Sequence, residues 1–420
     1  MARRRKTVAQ HARLGSPSLV AQLLTLVGVI VAVVLVAGAG TIGYTAYSLA
    51  ASIEENSVDL DTEVAQPPSV GAYEGPFDVL IVGTDECEPA LIDLFPGRCT
   101  GPDADGRLND VNMLVHVSDA PRRVTVVSFP RDLQVAIPEC TDDDGVVHAA
   151  VSKESLNAAY GKGGLNCVVN TVSALSGLSI PFAAKASFGN VIAITDAIGG
   201  VEVCIGEGGL RDPKNTGIDW PAGPRTVQGA EALQFLRVRS GVGDGSDLAR
   251  IGNQQQYLSS LSRKLTGGVL SDPAAVLRLA TAASENITPS SSLANPIRIM
   301  QLALAAKDVP TSDITFVQFP VFDDPSNTNH VIPDQQAAAE LWDALAQNRP
   351  LELTGQLGAN GGVVEAAPTE TTPPSDAPEP TPPSDAPEPT DAATSAPSDE
   401  SVALPGNVNG SKADQATCTA

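Results

Sequence analysis

The segment Phe235–Gln256 reads FLRVRSGVGDGSDLARIGNQQQ, and the fold prediction is built outward from it. Its first arginines, Arg237 and Arg239, are two positions apart, and in an extended segment this spacing puts both guanidinium groups on one side. A glycine-rich turn is predicted over residues 240–246, and a helix is predicted to begin at Asp247. The sequence therefore places two arginines directly before a turn that leads into a helix.

The predicted helix adds a third arginine to the same place. Asp247, Arg250 and Gln254 are three and four positions apart, which puts them on one helix face. Arginine carries a planar, permanently charged fork that matches phosphate oxygens two at a time. In a chain whose formal net charge is -23, this convergence predicts a clamp for a phosphate or a pyrophosphate. The alternative is a set of surface arginines paired with local acids such as Asp244 and Asp247.

The start of the chain predicts a membrane anchor. Residues 1–18 contain basic residues and no acid, and residues 19–49 contain no charged residue. Leu23 to Ile42 alone supplies the about 20 apolar residues with which a helix crosses a bilayer. Because the basic segment comes first and acids follow, the positive-inside rule puts the N-terminus in the cytoplasm and everything after residue 50 outside the plasma membrane. The alternative is a cleaved signal peptide, with Ala37-Gly38-Ala39 as its candidate cleavage site.

Alternating strands and helices follow this anchor. Apolar runs predict strands at Phe77–Val82, Asn112–Val117 and Arg123–Ser128, and a short helix is predicted over Lys153–Tyr160. Later helices include Asp247–Leu265. The alternation is typical of an α/β fold, here a three-layer α/β/α sandwich on a mixed central sheet, preceded by one transmembrane helix.

The composition changes again after residue 348. Residues 349–420 repeat the segment TPPSDAPEP and contain few large apolar residues, which predicts a disordered tail. The predicted organisation is a cytoplasmic basic tail at 1–18, a transmembrane helix at 19–49, a stalk at 50–69, a catalytic domain at 70–348 and a proline-rich disordered tail at 349–420.

The cysteines suit an extracytoplasmic domain. None of the 6 forms a CxxC pair, so the spacing does not indicate a zinc site and instead favours disulfides. Cys87 with Cys99 and Cys140 with Cys167 are two pairings that would close short loops. The sequence leaves the connectivity open.

Charged residues stand at the ends of the predicted strands. Asp85 and Asp110 are hard-oxygen ligands of the kind that Mg²⁺ or Mn²⁺ takes beside a substrate's phosphates. Ordinary turn or capping roles are the alternative for each. Arg131 follows Phe129-Pro130, and proline fixes the approach of its fork, although a salt bridge to Asp132 is the alternative.

Several other functions are not supported. The acidic balance makes nucleic acid an unsuitable partner. No P-loop and no dinucleotide-binding glycine motif is present. Of the 4 histidines, His116 lies inside an apolar strand, where it is expected to be a core residue with a partner.

These blocks together resemble the LytR–CpsA–Psr family of cell-wall ligases, actinobacterial type, over roughly residues 77–264. The resemblance is carried by DVLIVGTD, NDVNMLVHVS, VTVVSFPRDL, DAIGGVEVC, GAEALQFLRVR and DLARIGNQQQ, in that order. It implies a membrane-anchored α/β/α phosphotransferase that moves a glycopolymer with its phosphate from a polyprenyl-pyrophosphate carrier to peptidoglycan. For an actinobacterial member the implied polymer is arabinogalactan or a related wall polysaccharide.

The resemblance also implies roles for individual residues. It makes Asp85 and Asp110 the metal-associated acids, and it gives substrate binding or catalysis to the matching residues of the arginine blocks, namely Arg131, Arg237, Arg239, Asp247, Arg250 and Gln254. The chain departs from many members at two positions. Leu108 stands where they have an arginine, for which the neighbouring Arg107 is a candidate replacement, and Asn253 stands where they have another.

Two other functions remain alternatives. One is a polyprenyl-pyrophosphate phosphatase that uses no acceptor. The other is a non-catalytic wall-binding or regulatory protein with the same fold.

Overall fold

The structure is a computed structural model, and it describes residues 47–48, 50–61, 71–86, 92, 99–100, 107–142, 144–269, 272–355, 357, 362–366 and 401–419. The chain divides into two units, Met1–Ala51 and Ser52–Ala420, and only four residues of the first are described. None of the helices in these ranges has the length and apolar composition of a membrane span. The span predicted at 19–49 lies outside the described residues apart from Tyr47 and Ser48.

Eleven strands form the two larger sheets. They are β1 (Phe77–Thr84), β2 (Asn109–Val117), β3 (Val124–Phe129), β4 (Phe182–Ala186), β5 (Val201–Ile205), β6 (Gly223–Val227), β7 (Ile287–Pro289), β8 (Ile314–Gln318), β9 (Val363–Glu365), β10 (Gly410–Lys412) and β11 (Thr417–Thr419). The other named strands pair in twos and are Gln134–Ile137, Cys140–Thr141, Val147–His148, Val151–Ser155, Leu210–Asp212, Ile218–Trp220, Val321–Asp323, Val331–Pro333, Leu351–Leu353 and Val402–Leu404.

α-Helices accompany the strands in the part of the chain that the structure describes beyond residue 61. They are α1 (Ala159–Ser176), α2 (Phe188–Ala197), α3 (Ala230–Arg237), α4 (Asp247–Thr266), α5 (Pro273–Asn286), α6 (Pro296–Ala306) and α7 (Gln335–Ala346).

The central sheet is mixed, as predicted. Its strand order is β7-β4-β1-β2-β3-β8-β10. The pairs β1–β4 and β3–β8 are parallel, and the other four pairs are antiparallel. The carboxyl ends of β1, β3, β4 and β8 consequently meet at one edge of the sheet, which is the edge where ligands usually bind in α/β folds.

Each face of this sheet packs in its own hydrophobic core. Leu80 and Leu114 belong to a cluster that includes residues of α1 and α7. Phe77 and Val117 belong to a second cluster, to which α6 contributes Leu302. This division follows from the alternation of side chains along a strand. A third cluster lies between the smaller sheet, of order β6-β5-β11-β9, and helices α3 and α4.

The end of the chain differs from the predicted tail. Residues 401–419 return to the domain, where β10 adds an edge strand to the central sheet and β11 pairs with β9 in the smaller sheet. A disulfide joins Cys204 to Cys418, 214 positions apart. The composition of residues 401–419 did not predict these strands because each is short and pairs with a strand that lies far away in sequence. Residues 367–400, which hold the repeated proline-rich segment, lie outside the described residues.

Other local predictions have mixed outcomes. The Cys140–Cys167 disulfide is present, and Cys99 is also disulfide-bonded, while its suggested partner Cys87 lies outside the described residues. The helix predicted over Lys153–Tyr160 is wrong in its first half. Residues 151–155 instead form a strand antiparallel to Gln134–Ile137, and α1 begins only at Ala159.

Candidate active site

Asp85 and Asp110 lie at the edge of the central sheet where the carboxyl ends of β1 and β3 meet. They come from two neighbouring strands, and Asp110 sits in a β-bulge. Gly83 pairs with Val111 and Thr84 pairs with Asn109, so Asp110 is the extra residue of the bulge. A bulge re-aims the side chain of the inserted residue and leaves its backbone outside the ladder. The Asp110 carbonyl accepts instead from Arg250 Nη2 at 2.8 Å.

Asp85 continues β1 beyond the bulge. Its backbone N–H donates to Leu108 O at 3.2 Å, and its Oδ1 accepts from the Leu108 N–H at 3.1 Å. These reciprocal bonds fix the carboxylate against the neighbouring strand. Asp85 and Asp110 therefore lie on neighbouring strands at the same edge of the sheet.

Arg131 enters the site from the end of β3. Its Nη1 donates to Asp110 Oδ1 at 2.9 Å, and its backbone N–H donates to Asp247 Oδ2 at 3.1 Å. The first contact ties β3 to the bulge of β2, and the second ties it to the start of α4. One residue thus holds three elements together.

The glycine-rich turn brings α4 to this edge. Gly241 has φ +84°, and a Cβ there would lie 2.3 Å from Arg211 O, so only glycine fits the turn at this position. Ser246 caps α4 by accepting from the Ala249 N–H at 3.2 Å. Asp247 is the first residue of the helix, where a carboxylate is also favoured by the helix dipole. The predicted start of this helix is confirmed.

Asp247 contacts all three arginines through one oxygen. Its Oδ1 lies 2.6 Å from Arg250 Nη2, 3.6 Å from Arg239 Nη2 and 3.8 Å from Arg131 Nε. The contact with Arg250 is an ion pair but not a hydrogen bond, because no N–H or O–H group of the described residues is aligned with Asp247 Oδ1. Of the residues predicted to converge, Arg239, Arg250 and Asp247 do so, and Arg131 joins them from β3. We call these four residues with Asp110 and Asp132 the arginine cluster.

Asp132 completes the outer part of the arginine cluster. Its Oδ2 lies 3.6 Å from Arg131 Nε and 3.7 Å from Arg239 Nη2. The side chains of Arg131 and Arg239 are 24% and 33% exposed, whereas those of Arg250 and Asp247 are 6% and 8% exposed. The cluster therefore has an outer layer that a ligand reaches and an inner pair beneath it.

The outer arginines retain unused hydrogen-bonding capacity. The Nε atoms of Arg131 and Arg239 are buried and have no aligned acceptor among the described residues. Buried donors of this kind are uncommon in proteins and call for a partner. Arg131 Nε lies 3.6 Å from Asp132 and 3.8 Å from Asp247, which is too long for a hydrogen bond, and the contacts of Arg239 with these two acids are made by its Nη2.

The two outer arginines differ in their electrostatic surroundings. Burial acts to lower the pKa of Arg131, but the carboxylates of Asp110, Asp132 and Asp247 raise it above its ordinary value. Burial and the neighbouring charge of Arg131 lower the pKa of Arg239, against the opposing effect of Asp247. Of these two arginines, Arg239 is consequently the one whose positive charge is less compensated by neighbouring acids.

The amides of α4 position the arginines rather than face the cluster. Gln254 Nε2 donates to Leu236 O at 3.0 Å, and Asn253 Nδ2 donates to Phe235 O at 2.8 Å. These carbonyls belong to the last turn of α3, where no further helical N–H is available to them. Both amides thus fix the end of α3, from which Arg237 and Arg239 extend. Asn253, one of the two departures noted in the sequence, has this structural contact.

Arg237 and Arg107 lie in other surroundings. Arg237 is the last residue of α3 and not part of an extended segment, and its guanidinium carbon lies 4.4 Å from the centre of the Phe188 ring at the start of α2. This contact with an aromatic ring distinguishes Arg237 from Arg239, which lies beside the carboxylates of Asp132 and Asp247. Arg107 is exposed, and its charge contributes to lowering the pKa of Glu86.

A second charged group at this edge was missed in the sequence. Lys185 on β4 pairs with Glu86 at 2.8 Å, and its Nζ lies 5.6 Å from the centre of the Tyr160 ring. Tyr160 OH donates to Glu86 Oε1 at 3.4 Å, and the Tyr160 N–H donates to Asn109 Oδ1 at 3.0 Å. The strand signal of β4 was weak because its sequence, FAAKA, is short and rich in alanine. The available clue in the sequence was a lysine near the end of this short run.

The donor set of Asp85 and Asp110 fits a hard divalent cation. The described residues contain no group of three or more metal-ligating side chains in ligand geometry. Mg²⁺, however, commonly takes one or two carboxylates and completes its shell with water and substrate phosphates. The bulge orients Asp110 at the same edge as Asp85, while the neighbouring Glu86 is engaged by Lys185. The two carboxylates therefore match such a site in number and kind.

Comparison with known proteins agrees with this arrangement. The LytR_cpsA_psr family matches residues 41–347, well over half of the chain. The chain belongs to the LytR_cpsA_psr family. It is similar to the cell wall biosynthesis protein LcpA of Corynebacterium glutamicum, at 27% identity over 60% of this chain and 51% of LcpA.

Two further LytR_cpsA_psr comparisons place the chain. The polyisoprenyl-teichoic acid–peptidoglycan teichoic acid transferase TagV of Bacillus subtilis is 25% identical over 54% of this chain and 56% of TagV. The chain thus spans about half the length of these curated relatives. The crystal structure of protein gbs0355 from Streptococcus agalactiae matches at 17% identity with a TM-score of 0.50, covering 65% of this chain and 87% of that one, and this likeness concerns the fold.

Proposed function

We propose that this protein is a membrane-anchored phosphotransferase of cell-wall assembly. Its donor would be a glycopolymer carried on a polyprenyl pyrophosphate, and its acceptor would be a hydroxyl group of peptidoglycan. Membership of the LytR_cpsA_psr family supports a wall transferase, and TagV is named for transfer from a polyisoprenyl carrier to peptidoglycan. Arabinogalactan or a related wall polysaccharide is the proposed polymer.

The observation that carries the proposal is the state of the outer arginines. Arg131 and Arg239 hold buried Nε donors without aligned acceptors beside partly exposed guanidinium groups. A pyrophosphate supplies the missing acceptor oxygens, and forked donors at a partly buried edge favour its charge over bulk water. Asp110 pairs with Arg131, and one oxygen of Asp132 lies within 4 Å of both arginines, so these carboxylates position the two forks for that anion.

The proposed reaction is a substitution at phosphorus. The acceptor oxygen forms a bond to the phosphorus that bears the polymer, the bond from that phosphorus to the bridging oxygen breaks, and polyprenyl phosphate leaves with the bond's electron pair. The hydroxyl proton passes to water. Arg131 and Arg239 stabilise the charge that gathers on the departing phosphate.

Other residues of the cluster position these groups. Arg250 and Asp247 are nearly fully buried, so we assign them to holding Arg131, Arg239 and the bulge at Asp110 in register. Gln254 acts through the end of α3. Asp85 and Asp110 would hold Mg²⁺ or Mn²⁺, which neutralises phosphate charge when bound.

The proposal includes the cell compartment. The charge-free segment at 19–49 would anchor the protein in the plasma membrane as a single-pass protein, with its N-terminus in the cytoplasm and the catalytic domain outside. Disulfides at Cys140–Cys167 and Cys204–Cys418 support an oxidising compartment. Protease added outside intact cells should degrade the domain, and protection of the domain would contradict this placement.

One assay separates the proposed function from its alternatives. The purified full chain is incubated with a polyprenyl-pyrophosphate-linked glycopolymer, Mg²⁺ and peptidoglycan. We expect polymer to become covalently attached to peptidoglycan with release of polyprenyl phosphate. Release of phosphate products without attachment would instead identify a phosphatase, and no turnover with retained binding would identify a wall-binding or regulatory protein.

A further inference from the structure

A row of polar side chains crosses the central sheet away from the arginine cluster. In the strand register Asp78 lies opposite His116, His116 opposite Thr125, Thr125 opposite Thr315, and Thr315 opposite Lys412. Directly opposed residues point to the same face of a sheet, so five strands contribute one side chain each. All but Lys412 are buried. A buried row that contains a carboxylate and an imidazole requires a physical reason.

This row lies far from the arginine cluster. His116 is six positions along β2 from Asp110, and at about 3.3 Å per residue the two are separated by about 20 Å along the strand. His116 is close to the carboxyl end of β2, whereas the arginine cluster gathers at the opposite edge. The row therefore takes no direct part in the proposed phosphotransfer.

A cleft lies over the row. It is small and open to solvent. Its lining includes the row residues His116, Thr125, Thr315 and Lys412, together with Arg123 and Arg349. Because the cleft is small and open, a ligand there would be a small group that remains partly in solvent.

The charged groups that line the cleft are mostly positive. Arg123, Arg349 and Lys412 face one lining acid, Asp313. Arg123 is held in place, since its Nη1 donates to the backbone and side-chain oxygens of Asn348 at 2.9 and 3.0 Å. Arg349 Nη2 lies 3.7 Å from Asp343, and its buried Nε has no aligned acceptor in the described part of the chain. The balance favours an anion.

His116 supplies an independent indication. Its Nδ1 lies 2.9 Å from Asp78 Oδ1, which fixes the ring, and its Nε2 is buried with no hydrogen-bond partner among the described residues. His116 lines the cleft and its contact with Asp78 uses only Nδ1, so Nε2 is the ring nitrogen that remains for a ligand. The expectation that His116 is a partnered core residue is thus correct for only one of its nitrogens.

We propose that this cleft is a second anion site that binds a phosphate-class oxyanion, either free phosphate or the phosphate group of a phosphorylated sugar. Arg349 and Lys412 would donate to its oxygens at the mouth. At the buried end, His116 Nε2 either donates as imidazolium or accepts from the P–OH of a hydrogen phosphate. A phosphate group satisfies both kinds of contact, whereas a carboxylate anion has no hydroxyl to give.

The test follows the His116 ring in the purified full chain. The imidazole signals of the 4 histidines are recorded by NMR while inorganic phosphate, glucose 1-phosphate or acetate is added. We expect a saturable shift of the His116 signals with at least one of the two phosphates, and much weaker binding of acetate. Stronger binding of glucose 1-phosphate identifies a phosphorylated sugar, and stronger binding of inorganic phosphate identifies the free ion. Equal affinity for acetate, or no saturable shift at His116, would overturn the proposal.

Variants make the test specific to this cleft. The double variant Arg349→Gln with Lys412→Gln should bind phosphate about a hundredfold more weakly, and Lys412→Gln alone about tenfold more weakly, which corresponds to about one factor of ten for each lost charged hydrogen bond. Lys412→Gln alone, at an exposed position, keeps the test decisive if the double variant does not fold. Arg211→Gln, on an exposed hairpin, is the matched control. The His116 response should persist in Arg239→Gln, and its loss there would assign the anion to the arginine cluster instead.

Discussion

Asp247 Oδ1 lies 2.6 Å from Arg250 Nη2, and the two side chains are 8% and 6% exposed. The same oxygen is within 4 Å of Arg131 and Arg239. A carboxylate at the first turn of α4 therefore provides the charge against which three like-charged guanidinium groups pack. Without it, their mutual repulsion and the desolvation of Arg250 would oppose the arrangement.

The first prediction concerns this carboxylate. Asp247→Asn keeps the size of the side chain and removes the charge, so the buried Arg250 loses its ion pair. We expect the free energy of unfolding to fall by about 3–5 kcal/mol, the usual cost of breaking a buried pair on one side. Urea unfolding measures this change, and transfer activity should fall with it.

The control is Asp244→Asn. Asp244 is an exposed acid of the neighbouring turn, where its Oδ1 accepts from the Ser246 N–H at 2.8 Å. It was the other acid considered as a partner for the arginines, and no ion pair joins it to them in the described part of the chain. An equal loss of stability in the two variants would contradict the central role given to Asp247.

Arg239 provides the second prediction. Arg239→Lys keeps the positive charge and loses the fork, including the Nε donor without an aligned acceptor. We expect a loss of about 1–3 kcal/mol in transition-state stabilisation, measured as kcat/KM for transfer. Arg237→Lys is the internal comparison, and its effect should be smaller because Arg237 lies over the Phe188 ring. Unchanged kcat/KM in Arg239→Lys would remove this arginine from the site.

The third prediction concerns the metal. Transfer should be lost in chelator and restored by Mg²⁺ or Mn²⁺, and Asp85→Asn should raise the concentration of metal required for half-maximal activity. Asp85 is the cleaner position because Asp110 also pairs with Arg131, so that Asp110→Asn changes two interactions. Full activity in chelator would exclude the metal from the reaction.

The sequence predicted the parts of the site that are local in the chain. Apolar runs predicted β1, β2 and β3 and therefore the edge of the sheet. The three-and-four spacing of Asp247, Arg250 and Gln254 predicted the helix that meets this edge. The bulge at Asp110 was not predictable, since it depends on how β1 and β2 pair. For the same reason the packing of Arg237 against Phe188, on a separate helix, was missed.

Long-range pairing accounts for the other misses. The end of the chain was predicted to be a tail because proline-rich composition precedes it, whereas Cys418 is bonded to Cys204 and Gln256 Nε2 donates to the carbonyls of both Cys204 and Thr417. Lys185 was overlooked because an alanine-rich strand gives little periodic signal. In each case the deciding partner lies on a distant segment.

The fourth prediction tests that attachment. Cys204→Ser with Cys418→Ser should lower the free energy of unfolding by about 2–5 kcal/mol, the range for loss of a native disulfide. Amide hydrogens of β10 and β11 should then exchange faster than those of β2, because the tether acts on the end of the chain. The Cys140–Cys167 pair, left intact, serves as the control. Unchanged exchange in β10 and β11 would show that strand pairing alone holds the segment.

The last prediction concerns pH and the pair Glu86–Lys185. Burial acts to raise the pKa of Glu86, but the hydrogen bond and charge of Lys185 lower it overall; burial acts to lower the pKa of Lys185, but Glu86 and Tyr160 raise it overall. A lowered acid pKa stabilises the fold above the ordinary pKa of glutamate, about 4.3, and this contribution is lost as the pH falls through the lowered value. A raised lysine pKa stabilises the fold below the ordinary value of about 10.4, and this contribution is lost as the pH rises through the raised one. The pair should therefore contribute steadily between about pH 5 and pH 9.

We expect the difference in unfolding free energy between the wild type and Glu86→Gln to be constant across this window and to shrink below about pH 4, as measured by urea unfolding at several pH values. Glu231→Gln, which removes a more exposed acid paired with Arg225, is the matched control. A difference that grows on acidification would contradict the proposed ion pair.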